Sequence, residues 1–381
     1  MEPQQSARSF VALRLTKMDL YSLLKLVVDE KASDLHLTVD SAPVLRIDGQ
    51  MKPVMGMTRL TPKNTAQLCL SILTPEQKSA FEKRRELDLS IGVKGLCRFR
   101  VNLFVQKEAI AGVFRIIPTD VRPLEELGLP PSVIEIARRS AGLVLVTGPT
   151  GSGKSTTLAA IVDQINRERA CHIVTLEDPV EYLHNHKKSI INQREIGIDT
   201  LNFKDALRAV LRQDPDVVLI GEMRDLETIE AALRISETGH LCLATLHTQS
   251  AIQSITRIID MFPTHQRNQI RVQLSFSLQG ILSQRLIPRL GMKGRALSSE
   301  ILIMNQAIRH MIRDDKLHQI YGQAQIGQGR SGMVTMNQSL LKLYKTREIS
   351  LDEARANSPD VDEFTSMLVA HQNPSSSARR R

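Results

Sequence analysis

The chain reads as an α/β protein whose main domain binds phosphate, preceded by a smaller α+β domain. Three patterns predict this. The apolar run Leu143–Val146, the loop Gly148-x-x-x-x-Gly153-Lys154-Ser155 and the helical stretch Thr156–Ile165 stand in strand, glycine-loop, helix order. Further on, apolar strand-like runs alternate with amphipathic helices, as an α/β sheet requires. Ahead of the loop, Asp34–Val39 and Cys97–Val105 alternate with period two, the mark of a half-exposed antiparallel sheet.

With 381 residues the chain is long for one core and should form two domains plus tails. Hydrophobic residues make up 42%, and no apolar run reaches the roughly eighteen residues of a membrane helix. A signal-peptide pattern is also missing, which places the chain in the cytoplasm. Cys69, Cys97, Cys171 and Cys242 are widely spaced and form no Cys-x-x-Cys, so they read as buried thiols rather than a zinc or disulfide framework. A formal charge of +9 permits contact with an acidic membrane surface or nucleic acid. Aromatics at 3%, with no Trp, argue against stacking on single-stranded bases.

Residues 1–17 form a polar, basic extension, and a first helix starts at Met18-Asp19-Leu20. Its apolar positions Leu20, Leu23, Leu24, Val27 and Val28 share one face. The domain spans 18–117. In the later strand Phe99, Val101, Leu103 and Val105 face one way, while Arg98 and Arg100 face the other; Arg115 rides on the next strand, Ala109–Ile117. These arginines are either a solvated basic face or fingers that reach a neighbouring subunit's nucleotide. Pro118–Pro131 breaks all periodicity and sets a linker at 118–133. The phosphate-binding domain then covers 134–364, and 365–381 reads as a disordered tail ending Ala-Arg-Arg-Arg.

In the glycine loop, Gly148, Pro149, Thr150, Gly151, Ser152, Gly153, Lys154, Ser155 and Thr156 are the expected contacts to ATP. Glycines let consecutive N–H groups point inward at the phosphates, and the helix start adds its positive dipole end. Lys154 reaches the β and γ phosphates, and Ser155 holds Mg²⁺. Two strands, His172–Asp178 and Asp216–Asp225, deliver carboxylates at their ends, where ligands bind in open α/β sheets. Glu222 is the first choice for ordering Mg²⁺ and Glu181 for orienting the attacking water, and the two roles are interchangeable. Glu177, Asp178, Glu195 and Asp225 are rivals. His247 follows the strand Leu241–Leu246 and suits sensing of the γ phosphate; His240, at the strand's other end, is a weaker candidate.

Six blocks together resemble the retraction ATPases of type IV pili, within the secretion ATPase superfamily. They are Ser33-Asp-Leu-His-Leu37, the loop Gly148–Thr157, Leu176-Glu-Asp-Pro-Val-Glu-Tyr-Leu-His184, Asn192-Gln-Arg-Glu195, Asp216–Asp225 and Thr238–His247. A seventh, Ala307-Ile-Arg-His-Met-Ile-Arg313, is similar to the motif tied to retraction, with His310 and Met311 departing from it. The resemblance implies a PAS-like domain before a RecA-like ATPase domain and a homo-hexameric ring. It also implies a peripheral station at the inner face of the inner membrane. There the ring would work with a platform protein and other pilus ATPases, in twitching motility and without nucleic acid. Catalytic roles for Glu181 and Glu222 and subunit-crossing roles for Arg100 and Arg115 follow from the same source. An accessory retraction ATPase is the nearest alternative. An extension or type II secretion ATPase is more distant, since no tetracysteine zinc insertion is present. A DNA translocase and a nucleotide-gated scaffold are the readings from other classes. In the retraction motif, Arg309 and Arg313 lie four apart and could meet a partner together. Replacing Ile308 and Ile312 by Ala is then expected to spare hydrolysis and abolish retraction.

Overall fold

The structure, a computed structural model, describes residues 19–47, 49–292, 294–327 and 332–372. The expected extension at 1–17 and the last part of the expected tail, 373–381, lie outside them. The chain forms two compact units that divide between Thr119 and Asp120.

In the first unit, helix α1 (Leu20–Asp29) starts where Asp19 accepts the Ser22 N–H, an N-cap bond that satisfies one orphan donor of the first turn. Strands β1 (Asp34–Leu37), β2 (Val44–Ile47) and β3 (Gln50–Pro53) follow, then helices α2 (Pro62–Leu70) and α3 (Pro75–Arg84). Both of these open on Thr capping boxes with Pro in the first turn, which pre-sets φ for the helix. Strands β4 (Glu86–Gly92), β5 (Arg98–Gln106) and β6 (Ala109–Ile117) complete a six-stranded antiparallel sheet, ordered β3-β2-β1-β6-β5-β4. Period-two alternation sends Leu35, Phe99, Val101, Leu103 and Phe114 into a core with α1. The opposite face carries the arginines.

The second unit begins with a 3₁₀ turn, Leu124–Leu127, and helix α4 (Ser132–Ala137). The turn lies in the stretch expected as linker, 118–133, and α4 begins at its end. Leu124 and Val133 are buried in the core of this unit, so the segment is packed rather than free. Strand β7 (Gly142–Thr147) leads through the glycine loop to helix α5 (Lys154–Glu168). Strands β8 (His172–Glu177) and β9 (Ile190–Glu195), helix α6 (Phe203–Val210), strand β10 (Val217–Ile220), helix α7 (Leu226–Glu237) and strand β11 (Leu241–Leu246) follow. Next come helices α8 (Ala251–Asp260) and α9 (Arg267–Ser277), the hairpin β12 (Leu278–Pro288) and β13 (Arg295–Ile303), and helix α10 (Gln306–Arg313). Helices α11 (Ile320–Ile326), α12 (Met336–Lys345), α13 (Leu351–Ala356) and α14 (Val361–Gln372) close the chain.

The seven-stranded sheet runs β13-β12-β7-β11-β10-β8-β9, parallel except for the β12–β13 pair. Because helices cover both faces, every residue of β7, β10 and β11 is buried. Leu143 and Leu145 face α6 to α10, while Val144 and Val146 face α4 and α5. The strand ends therefore carry the polar groups. Helix α14 extends through 365–372, which the sequence had placed in the tail. Leu368, one turn beyond the fully buried Phe364, continues the same apolar face into the C-terminal core.

Candidate active site

Strand β7 ends at the glycine loop, whose geometry allows no side chain at Gly148. Its φ is +141°, and a Cβ there would stand 2.4 Å from the Gln284 carbonyl oxygen and 2.6 Å from Ser152 Oγ. Gly153 caps α5 in the left-handed region at φ +89°. The following Lys154 folds back over the loop and donates from Nζ to Gly148 O at 2.9 Å and Pro149 O at 3.2 Å. Those carbonyls hold the ammonium in place. Burial pulls the Lys154 pKa below its usual value, and the negative charges of Glu222 and Glu181 oppose that shift. The same interaction shows that both acids lie within electrostatic reach of the loop lysine.

Parallel pairing places the ends of β8, β10 and β11 side by side, with Leu176 opposite Ile220 and Ile220 opposite Ala244. Just past those ends, the Glu222 carboxylate is gripped from two sides, by Arg224 Nη2 at 2.8 Å and His247 Nε2 at 3.1 Å. Burial would raise this carboxyl, but the Arg224 and His247 contacts outweigh it and hold Glu222 below the usual range. Glu222 and His247 thus meet directly. Glu181 lies exposed on the loop after β8, and its backbone N–H donates to Glu177 Oε2 at 3.4 Å.

Three of the four rival acids have hydrogen-bond partners within the fold. Burial pushes the Glu177 carboxyl up to about 7, and it accepts from Thr175 Oγ1 at 2.6 Å and Gln193 Nε2 at 3.3 Å, bracing the loop that carries Glu181. Asp225 caps α7 by accepting the Thr228 N–H at 2.8 Å. Glu195 is buried beneath Val180, and Asp178 faces solvent. His240 hydrogen-bonds Thr238 Oγ1 and the Ile235 carbonyl, which makes it a helix-end residue.

Three residues without a role in the sequence reading now have one. Tyr182 OH meets Thr156 Oγ1 at 2.8 Å, linking the Glu181 loop to the first turn of α5. Gln193 donates to the Tyr182 carbonyl at 2.8 Å and accepts the His184 N–H at 2.8 Å, tying the loop to β9. Arg224 secures Glu222. Tyr182 and Gln193 stand inside the blocks quoted above, but only the folded loop brings them together.

Arg100 and Arg115 belong to the first unit, where they stand directly opposite one another on the exposed sheet face. Arg115 Nε donates to Asp34 Oδ1 at 2.7 Å, while Arg46 approaches Asp34 Oδ2 at 3.5 Å. No ion pair or side-chain hydrogen bond engages Arg100 among the described residues. The two arginines are therefore not equivalent.

The retraction motif differs from expectation. Ile308 and Ile312 are fully buried in the core between α10 and the sheet. Arg309 donates to the Ser275 and Phe276 carbonyls and to Gln279 Oε1, so it closes the C-terminal end of α9. A pairing of Arg309 and Arg313 toward a partner is thereby corrected, because the i,i+4 spacing does not say which face the helix buries. Ala307, His310 and Arg313 form the outward face, with His310 bonded to Arg313.

The family model of the type II/IV secretion system proteins matches residues 14–365. The chain belongs to that family. A Type IV pilus retraction ATPase, PilT, of Pseudomonas aeruginosa is 45% identical over 347 residues, covering 91% of this chain and all of the relative. A twitching motility protein of Neisseria gonorrhoeae is 43% identical and covers 85% of this chain and 86% of the relative. A crystal structure of the pilus retraction motor PilT with bound ADP superposes with a TM-score of 0.87 at 49% identity, covering 92% of this chain and all of that one. Membership in this family agrees with the mixed α/β fold, and no helix among the described residues is long and apolar enough to cross a membrane.

Proposed function

We propose that the protein is an ATP-hydrolysing motor of type IV pilus retraction, active as a homo-hexamer beside the inner membrane and against a platform protein. The observation that carries this is the contact of Glu222 with His247 just past the neighbouring ends of β10 and β11, with Glu222 and Glu181 both in electrostatic reach of Lys154 on the glycine loop. Likeness to retraction motors over nine-tenths of the chain supplies the direction of work.

ATP phosphates enter the glycine loop, and Lys154 leaves the Gly148 and Pro149 carbonyls for the phosphate oxygens. Ser155 and Glu222 are the residues that would hold Mg²⁺. One hydroxyl and one ionised carboxylate suit a metal that keeps waters and takes its other ligands from phosphate. Bound there, Mg²⁺ supplies neutralisation of the phosphate charge. Glu181, set by Tyr182 and Gln193, orients the attacking water, and His247 reports the γ phosphate to Glu222. Arg100 and Arg115 reach the site from the adjacent subunit, so hydrolysis depends on the ring.

The test is Lys154→Ala: ATPase activity should fall by about 10³ or more, with ring assembly retained on native mass spectrometry. Wild-type turnover in that variant would remove the loop from the mechanism. In cells lacking the protein, long pili and no surface motility are expected; bald cells would mean assembly instead of retraction.

A further inference from the structure

The glycine loop and the acids stand at the carboxyl ends of the parallel strands, so the amino ends form a second rim of the same sheet, away from the nucleotide. Three segments come together there. Arg139 stands just before β7, Arg169 just before β8 and Phe276 just before β12. Arg169 Nη1 donates to the Arg139 carbonyl at 3.1 Å, which joins the first two segments. Arg309 joins the third, because it donates to the Phe276 carbonyl at 2.9 Å and stands within electrostatic reach of Arg139.

The charge of this rim is one-sided. Burial and, behind it, the like charge of Arg139 pull the Arg309 guanidinium below its usual value. Among the described residues no carboxylate forms an ion pair with Arg139, Arg169 or Arg309. The acids closest along the chain are taken, since Arg138 holds Glu135 at 3.0 Å and Glu168 at 2.8 Å, and Arg271 holds Asp315 at 2.8 Å. Arg309 spends its donors on closing α9, whereas the exposed Arg139 guanidinium has no hydrogen-bond partner among the described residues. Beside these cations Val272 and Phe276, four apart on α9, share one face and are 40% and 65% exposed. One exposed aromatic alone needs no explanation, but an aromatic set among uncompensated arginines has the composition of a binding hot spot.

We propose that this rim docks an acidic segment of a partner protein: carboxylates of the segment take the guanidinium forks of Arg139 and Arg169, and an apolar side chain next to them packs on Phe276 and Val272. Planar forks pair bidentately with carboxylates, and the adjacent aromatic supplies the apolar centre of the contact. An anionic bilayer would instead call for a broad cluster of about 4–8 Lys and Arg. Docking here leaves the glycine loop open to nucleotide, and it does not depend on the reaction performed there.

The full chain is titrated at about 0.15 M salt with two probes: a labelled peptide alternating Glu and Leu, followed by fluorescence anisotropy, and phosphatidylglycerol vesicles, followed by co-sedimentation. Arg139→Glu and Phe276→Ala should each weaken the peptide about tenfold, with melting temperature and basal ATPase activity unchanged. Arg347→Glu, which reverses an exposed arginine just past α12, should leave peptide binding within about twofold. A peptide alternating Lys and Leu should bind Arg139→Glu better than the parent. Equal losses in Arg347→Glu and Arg139→Glu would reduce the attraction to net charge, and undiminished binding by Phe276→Ala would remove the apolar centre. Either result overturns the docking surface. So does a parent that ignores the acidic peptide, and if that parent binds vesicles through Arg139 the rim meets a membrane instead.

Discussion

The two sheets of this protein use their side chains in opposite ways. In the second unit, β7, β10 and β11 are buried at every position, so a side chain in mid-strand packs and only those past the strand end can meet substrate. In the first unit, β5 alternates between buried Phe99, Val101 and Leu103 and half-buried Arg98, Arg100 and Asn102. A mid-strand residue there can act. Across that open face, one row runs Arg46, Asp34, Arg115, Arg100 and Ser90 over five strands. Burial on both faces thus confines chemistry to an edge, whereas burial on one face frees a whole surface for it.

The largest effect that could break this contrast concerns α10, packed on the fully buried sheet. Ile308→Ala with Ile312→Ala removes two fully buried side chains, at about 2–5 kcal/mol each. That is comparable to the total stability of an ordinary domain. The double variant should be largely unfolded, or melt far below the parent by circular dichroism, and its ATPase activity should disappear with the fold. A variant that melts like the parent would show that α10 does not belong to the core.

How much of this was legible depended on the same burial rule. Strands β7, β10 and β11 stand out as apolar runs because both faces are covered. The hairpin β12–β13 escaped the sequence reading because its buried positions include Ser283, Gln284, Ser298, Ser299 and Glu300. Their hydrogen bonds, such as Ser283 with Thr147 at 2.8 Å and Gln284 with Thr157 at 2.8 Å, exist only once β12 lies beside β7. Strand β9 was visible only as the block Asn192–Glu195. Lys154, Glu222 and His247 were legible because loop spacing and strand ends mark them, while the grip of Arg224 on Glu222 needed coordinates.

Glu300 sharpens the contrast as a buried acid in mid-strand on the doubly covered sheet. Burial pushes its carboxyl up to about 7, against the Ala251 N–H bond at 3.3 Å. A carboxyl whose pKa is raised on folding adds stability that is full below its unfolded value and is lost as pH rises toward 7. Glu300 alone should cost about 3 kcal/mol across that window. Glu177, with the same upward shift, adds a similar slope. His184, whose imidazole burial pulls down to about 4, works in the opposite direction over the same window, so the variant is read against its parent: Glu300→Gln should lose about 3 kcal/mol less stability between pH 4.5 and 7 in urea melts. An unchanged slope would mean that Glu300 does not ionise in that range.

On the open sheet the effects on stability should be smaller. Arg115→Ala deprives buried Asp34 of its closer cation and leaves Arg46 at 3.5 Å. Burial alone would raise the Asp34 carboxyl, and the Ser33 and Arg115 hydrogen bonds hold it below its usual value. Because Arg115 is largely solvent-exposed, the loss is discounted to about 1 kcal/mol. Chemical denaturation should detect it, and a loss above about 3 kcal/mol would mean that Arg115 is a core residue.

Arg100→Ala should have the smallest effect on folding and the clearest effect on function. Arg100 faces the like charge of Arg115 across the strand pair, an arrangement that opposes rather than aids pairing, so its removal should shift stability by no more than about 0.5 kcal/mol. If the residue serves a neighbour's nucleotide, hydrolysis should nevertheless collapse while the melting curve stays in place. Mixing isolates the cause. Lys154→Ala subunits keep their arginines and cannot use ATP, whereas Arg100→Ala/Arg115→Ala subunits keep the loop and lack the arginines, so each population alone should be nearly inactive. Mixed rings should recover activity wherever an intact loop meets intact arginines. With mixed hexamers verified by native mass spectrometry, no recovery would return Arg100 to a solvated sheet face and leave the open sheet without a catalytic use.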